Sequence, residues 1–125
     1  MKTRLSLQLF IISTFILLLL SCDKHHAKKI SGTYSCIVKH GYWDMTPSNF
    51  DSIYYEDIKI KQDGKFVVVL ETRIHIDSLW KEKEYFEGYI HNYIKVLFRN
   101  DSIYITRSNG GLGGNASWTY EGIKK

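Results

Sequence analysis

Helical periodicity and proline are both scarce in this sequence of 125 residues. After residue 30, no stretch keeps apolar residues at helical spacing for ten positions, which excludes a mainly helical domain. The only proline, Pro47, lies in a loop-like segment at residues 45–49, with strand-like sequence on either side. These absences favour a chain of strands joined by short connections.

The sequence also lacks a recognisable catalytic motif. It has no nucleophile elbow, paired acid or metal-binding triad, although Ser, His and Asp all occur. The glycine-rich run at residues 110–114 lacks the spacing of a nucleotide-binding fingerprint, and a strand-like segment follows it where a helix would be needed. We interpret this run as a loop, either mobile at a barrel mouth or part of a plain long hairpin. No enzymatic activity, metal or cofactor is therefore expected. The histidines are interpreted as linker or surface residues: His25, His26, His40, His75 and His91.

At its start the sequence does contain a short apolar segment that ends in a cysteine. Two basic residues precede it, residues 9–20 are almost entirely apolar, and Ser21 stands directly before Cys22. The pattern resembles the signal peptide of a bacterial lipoprotein. The resemblance implies cleavage before Cys22 and attachment there of diacylglycerol and a further acyl chain such as palmitate, which would anchor the chain to a membrane. The alternative is an uncleaved apolar anchor, for which the segment is short.

This interpretation divides the chain into a signal peptide at residues 1–21, a polar tether at 22–29 and one domain at 30–125. The signal peptide holds two of the 17 basic residues and none of the 13 acidic ones, so 15 basic and 13 acidic residues remain. Such a balance lacks the basic surface that nucleic-acid binding requires, and no nucleic-acid partner is expected. Once Cys22 is acylated, Cys36 has no intramolecular disulfide partner, and its strand-like surroundings predict a small buried residue.

From residue 30 onward the sequence is rich in β-branched and aromatic residues, with turn residues every eight to twelve positions. This spacing is typical of an antiparallel sandwich or barrel, here with seven or eight strands. Strands are expected at residues 32–40, 52–61, 79–90 and 116–124, with hairpins around residues 62–64 and 100–101.

The alternation of apolar residues predicts the register of both hairpins. A three-residue loop at 62–64 would pair Ile60 with Phe66 and Ile58 with Val68, which keeps one face apolar. Gly64 would supply the left-handed conformation that such a bulged hairpin needs.

In the second hairpin, a two-residue loop at 100–101 would place Phe98 opposite Ile103 and Val96 opposite Ile105.

Two segments frame the domain: Gly32-Thr33-Tyr34 opens the first strand, and residues 120–124 (YEGIK) end the last one. This frame resembles small lipocalin-like lipoproteins of the Bacteroidetes. The resemblance implies a small up-and-down antiparallel barrel whose first and last strands meet, with Lys124 as the basic residue near the end of the chain. It also implies a ligand site in the barrel interior. Aromatic residues that would line such a site, or else fill the core, are Tyr34, Trp43, Trp80 and Trp118.

Three tripeptides of the form Asp-Ser-aliphatic resemble the acceptor of protein O-glycosylation in the Bacteroidetes. Their serines are Ser52, Ser78 and Ser102. The same tripeptide also suits a turn that leads into a strand, and both interpretations remain open.

The sequence as a whole predicts a monomeric, non-enzymatic lipoprotein of the cell envelope, anchored through Cys22 at the outer membrane and facing the periplasm. The first hypothesis for its function is a binding module for a small apolar ligand in the barrel interior. The alternative is an interaction protein that binds an envelope protein or glycan through the barrel exterior and loops. A core filled by its own side chains would favour the alternative.

Overall fold

The computed structural model describes residues 2–44 and 50–125, which form one N-terminal helix and eight strands. The N-terminal helix, Lys2–Ile30, is long and apolar enough to cross a membrane by length and composition, a test that signal sequences also pass. A short 3-10 helix, Ile76–Ser78, follows the fourth strand. The elements are α1 (Lys2–Ile30), β1 (Gly32–Asp44), β2 (Phe50–Asp63), β3 (Phe66–Val69), β4 (Thr72–His75), β5 (Tyr85–Tyr89), β6 (Asn92–Arg99), β7 (Ser102–Gly111) and β8 (Gly114–Lys124).

The eight strands form one antiparallel sheet in the order β4-β3-β2-β1-β8-β7-β6-β5. The first and last strands pair along most of their length, from Tyr34 opposite Lys124 to Asp44 opposite Gly114, as the sequence predicted. Because every other neighbour is consecutive in the chain, the sheet is an up-and-down meander whose outermost strands are β4 and β5. The all-β class and the strand number are thus confirmed.

The sheet curls, so that residues from its two halves share one core. The ring of Tyr34 on β1 packs edge-on against Phe98 on β6, with a centroid distance of 5.8 Å, although β8 and β7 lie between these strands. Alternate residues of β1, β6 and β7 point inward, and Val38, Val96 and Ile103 are fully buried. The result is a half-barrel wrapped around a single hydrophobic core.

The hairpin around residues 100–101 has the predicted register. Phe98 lies opposite Ile103 and Val96 opposite Ile105. The first loop residue, Asn100, adopts a positive φ of 54°, a conformation that Asn tolerates better than most residues.

The register predicted for the hairpin around residues 62–64 is wrong. Asp63 pairs with Phe66 across a two-residue turn whose first residue, Gly64, has a φ of 61°. The shift points Val67 and Val69 into the core and leaves Phe66 partly exposed. There the Phe66 ring lies under the guanidinium of Arg73, whose carbon is 3.6 Å from the ring centroid.

The strand predicted at residues 79–90 begins only at Tyr85. Ile76 and Leu79 both turn inward and are buried, and the backbone amides of Leu79 and Trp80 both donate to the Ile76 carbonyl. Residues 76–84 therefore do not pair as a strand, and their buried side chains cover one end of the core.

The C-terminal end of α1 packs against the same end of the half-barrel. Ala27 is fully buried and Ile30 is 8% exposed. The Tyr34 hydroxyl donates to the Ile30 carbonyl at 2.7 Å, and the Lys124 ammonium donates to the Lys29 carbonyl at 2.7 Å. Residues 22–29, for which polar composition indicated a tether, are therefore helical here, and their last turn contributes to the core.

The half-barrel has two distinct ends. We call the end that carries α1 the base; it comprises residues 23–31, 61–65, 76–84, 99–101 and 124–125. We call the opposite end the rim; it comprises the end of β1 and the turns that follow β3, β5 and β7.

Candidate binding cleft at the rim

The four aromatic residues that the sequence suggested as ligand-lining lie in separate places. Tyr34 is buried near the base. Trp80 also lies at the base, stacked on His26 with 3.6 Å between ring centroids. Trp118 stacks on its cross-strand neighbour His40 at 4.6 Å. Trp43, at the end of β1, is 56% exposed and lines a cleft at the rim.

The lower interior of the half-barrel, by which we mean the part between the base and the rim, is filled by its own side chains. Val38, Val96 and Ile103 have no accessible surface and belong to one continuous cluster. Burial, with a smaller contribution from the Asp101 carboxylate, raises the pKa of Tyr34 to about 12. Burial likewise raises the pKa of the Cys36 thiol to about 11, so Cys36 is a buried residue of low reactivity, as its sequence context indicated.

A cleft of about 580 Å³ opens at the rim. Its apolar surface comes from one residue at the end of β1, two at the β5–β6 turn and one at the tip of the β7–β8 hairpin. These residues are Trp43, Tyr89, Ile90 and Leu112. All four are exposed, unlike the apolar residues of the lower interior. An exposed apolar patch of this kind is typical of binding surfaces.

A polar network fixes the walls of the rim cleft. The side-chain amide of Asn92 donates through Nδ2 to the Gly110 carbonyl at 3.0 Å, and its Oδ1 atom accepts from the backbone N–H of Gly110 at 3.3 Å. The hydroxyl of buried Ser108 has two acceptors within reach, the His91 carbonyl at 3.1 Å and the Asn115 side-chain oxygen at 2.9 Å. These bonds connect the β5–β6 turn with β7 and β8, and so hold the residues of the cleft in place.

The glycine-rich run at residues 110–114 forms a tight hairpin at the rim. Gly111 pairs with Gly114 across a two-residue turn, and the turn residue Leu112 is fully exposed. A Cβ on Gly110 would come within 2.8 Å of the Gly114 carbonyl, and a Cβ on Gly114 would come equally close to the Trp43 carbonyl. The glycines therefore allow β1, β7 and β8 to approach one another beside the cleft.

A second cleft, of about 590 Å³, lies between the outermost strands β4 and β5 and is mainly polar. Charged residues such as Arg73, Glu87 and Arg107 line it. The Tyr85 hydroxyl donates to the Glu87 carboxylate at 2.7 Å, and this bond is the main reason why the pKa of Tyr85 rises to about 12. The charged lining suits an apolar ligand poorly.

A group of possible metal ligands, Asp23, His75 and Asp77, meets at the base, with ligand atoms within 4.8 Å of one another. The Nδ1 atom of His75 already accepts the backbone N–H of Asp77 at 3.1 Å, and it lies 3.6 Å from the Asp77 carboxylate. The histidine thus caps the short 3-10 helix, and a metal at Nδ1 would have to displace this bond.

The three Asp-Ser serines are all partly exposed. Ser102 directly follows a turn and opens β7, Ser78 ends the 3-10 helix, and Ser52 lies within β2. Their glycosylation stays a prediction.

Sequence reasoning missed the rim cleft. Its residues are far apart in the chain and meet only through turn geometry. One signal was present, since Ile90 and Leu112 occupy turn positions where polar residues are usual.

Comparison with known protein families, with curated proteins and with solved structures gives no match.

Proposed function

We propose that this protein is a lipid-anchored protein of the cell envelope, and that its half-barrel is a non-enzymatic binding module that holds a small apolar ligand in the rim cleft. The observation that carries the proposal is the contrast between a filled lower interior and an exposed, mostly apolar cleft at the rim. A volume of about 580 Å³ suits a small ligand.

The position of α1 supports this assignment. The anchor, whether acylated Cys22 or the apolar part of α1, precedes the docked helix end at the base, so the rim is the end farthest from the membrane. Exposed apolar residues at the rim therefore cannot serve to insert into the membrane that holds α1. Attachment through acylated Cys22 at the periplasmic face of the outer membrane fits this geometry.

Tryptophan replacement tests the ligand site. A soluble chain of residues 24–125, which keeps the docked end of α1, is titrated with an uncharged naphthylamine probe. We expect Trp43→Ala to weaken binding about tenfold or more, because a large aromatic wall of the cleft is lost. Trp118→Ala is the matched control and should leave the affinity unchanged. Equal affinity in the parent and both variants would refute the rim site.

The filled lower interior and one further observation favour a second function, binding of a partner protein. On the side away from β1, β2 pairs with β3 only at Lys61–Asp63, so residues 51–59 form a free edge within the described part of the chain. Ile53 and Tyr55 project from this edge, and Tyr55 is 83% exposed. Long exposed edges of this kind accept an extended strand from another protein. A photoreactive residue at position 55 should then give a crosslinked product of one defined mass in cells, whereas the same residue at position 121 should not.

A further inference from the structure

We propose that the base of the half-barrel is a membrane-contact surface that lies on the anionic lipid headgroups of the bilayer holding α1. The inference rests on the membrane attachment in the proposed function but not on the rim cleft. It also holds whether Cys22 is acylated or α1 remains uncleaved, because either form of anchor ends at the base.

The docked end of α1 sets the distance between the base and the membrane. Ala27, five residues after Cys22, is already buried against the half-barrel. At a rise of 1.5 Å per residue, those five residues span only about 7.5 Å along the helix. The base therefore begins within about 10 Å of the anchoring residue, and the lysine side chains of the base shorten the remaining distance to the bilayer.

Contacts on several sides of the helix end also fix the orientation of the half-barrel. The Gln62 amide at the end of β2 donates to the Lys24 carbonyl at 2.9 Å. His26 stacks on Trp80, and the Lys29 ammonium lies 5.5 Å from the centroid of the same indole. A domain held in this way keeps its base toward the bilayer, whereas a domain on a flexible tether would rotate freely.

Charge is distributed unevenly along the half-barrel. The base holds ten Lys and Arg residues against six Asp and Glu residues, while the rest of the chain after Cys22 holds five against seven. The ten basic residues are Lys24, Lys28, Lys29, Lys61, Lys65, Lys81, Lys83, Arg99, Lys124 and Lys125.

Ion pairs leave several of these lysines available. Three of the six acidic residues are close to cations, in the pairs Asp63–Arg73 at 2.8 Å, Glu82–Arg99 at 3.6 Å and Glu84–Lys95 at 3.9 Å. By contrast, no carboxylate of the described chain lies within 4 Å of the ammonium groups of three exposed lysines. These are Lys28, Lys65 and Lys81.

The attraction between a cation and an anionic bilayer depends strongly on the distance between them. Attraction to an anionic surface falls off within a Debye length, about 8 Å at physiological ionic strength. In the proposed orientation the lysines of the base are the cations nearest to the bilayer, whereas lysines on the walls lie farther from it. Because the anchor already holds the domain at the surface, each contact forms without a separate binding step.

Lysine acetylation measures the contact directly. The full chain is reconstituted in nanodiscs of phosphatidylcholine, with or without 30% phosphatidylglycerol, and acetylation of each lysine is followed by mass spectrometry. We expect Lys28, Lys65 and Lys81 to react several-fold more slowly in the anionic nanodiscs, and 0.5 M NaCl should remove the difference. Lys39 and Lys95, on the walls, should react equally in both. The proposal would be overturned if anionic lipid slowed acetylation of the base lysines and of the wall lysines by the same factor.

A charge-matched pair of variants separates a local contact from a general charge effect. Lys65→Gln with Lys81→Gln removes two charges from the base, whereas Lys39→Gln with Arg107→Gln removes two from the walls. The base variant should reduce the protection of Lys28 in anionic nanodiscs, and the wall variant should not. Equal effects of the two variants would contradict a membrane-contact base. Binding of the naphthylamine probe at the rim should be unchanged in both, so the two proposals fail independently.

Discussion

Replacing Ile30 with alanine tests whether the end of α1 is part of the half-barrel core. Ile30 is 8% exposed and belongs to the same cluster as Tyr34. The change removes three carbon atoms at about 0.8 kcal/mol each, and Ile→Ala substitutions in cores cost about 2–5 kcal/mol in all. Because Ile30 lies at the margin of the core, where the helix can shift to fill space, we expect a loss of about 2–3 kcal/mol in the free energy of unfolding.

Urea unfolding of the full chain in a mild detergent, followed by tryptophan fluorescence, measures this loss. Trypsin should also cleave after Lys28 and Lys29 faster in the variant, because the docked turn opens more often. The control is His25→Ala in the same helix; His25 is exposed, so stability should not change. A loss below about 0.5 kcal/mol for Ile30→Ala, or an equal loss for both variants, would refute the docked helix.

Three further predictions concern the sheet. Gly122→Ala should lower the free energy of unfolding by about 2 kcal/mol or more in the same urea assay, because a Cβ there would lie 2.3 Å from the Cys36 sulfur; unchanged stability would contradict this packing. The Cys36 thiol, with its pKa raised to about 11 mainly by burial, should react with a disulfide reagent at pH 8 only after denaturation, and rapid labelling of the folded chain would show that the site is open. Hydrogen bonds from the Lys125 ammonium and, to a smaller extent, the Ser35 hydroxyl hold the pKa of Asp57 below its usual value. A carboxylate with a lowered pKa in the folded state stabilises the fold at neutral pH. This stabilisation is lost as the pH falls below about 4 and through the folded-state pKa. Thermal midpoints between pH 7 and 2.5 should therefore fall less steeply in Asp57→Asn than in the parent, and identical profiles would mean that the pairing is absent.

Sequence alternation predicts strand register only where one face of a strand is clearly apolar. Around residues 100–101, inward Ile103 and Ile105 alternate with more polar residues of β7, so only one register buries the apolar set. In β3 (Phe66–Val69) every residue is apolar, and two registers that bury opposite faces of the strand look equally good. The structure selects the one that buries Val67 and Val69, and the contact of Phe66 with Arg73 that accompanies it is not visible in the pattern.

The docked helix and the rim cleft could not be predicted from the sequence, for different physical reasons. Ala27 and Ile30 are three residues apart on one helical face, but among lysines and histidines two apolar positions are too few to show a period. The cleft depends on turns that bring together Trp43, Ile90 and Leu112, which are 22 to 69 residues apart in the chain. Long-range contacts of this kind follow from the closure of the sheet and not from any local propensity.

The most direct test of the proposed function is photo-crosslinking with an alkyl diazirine probe, followed by mass-spectrometric mapping of the modified residues. We expect modification at the rim, within residues 89–92 and 110–115, and its loss in Trp43→Ala. Modification of Val38, Val96 or Ile105, which fill the lower interior, would contradict it and would place an apolar ligand inside the half-barrel.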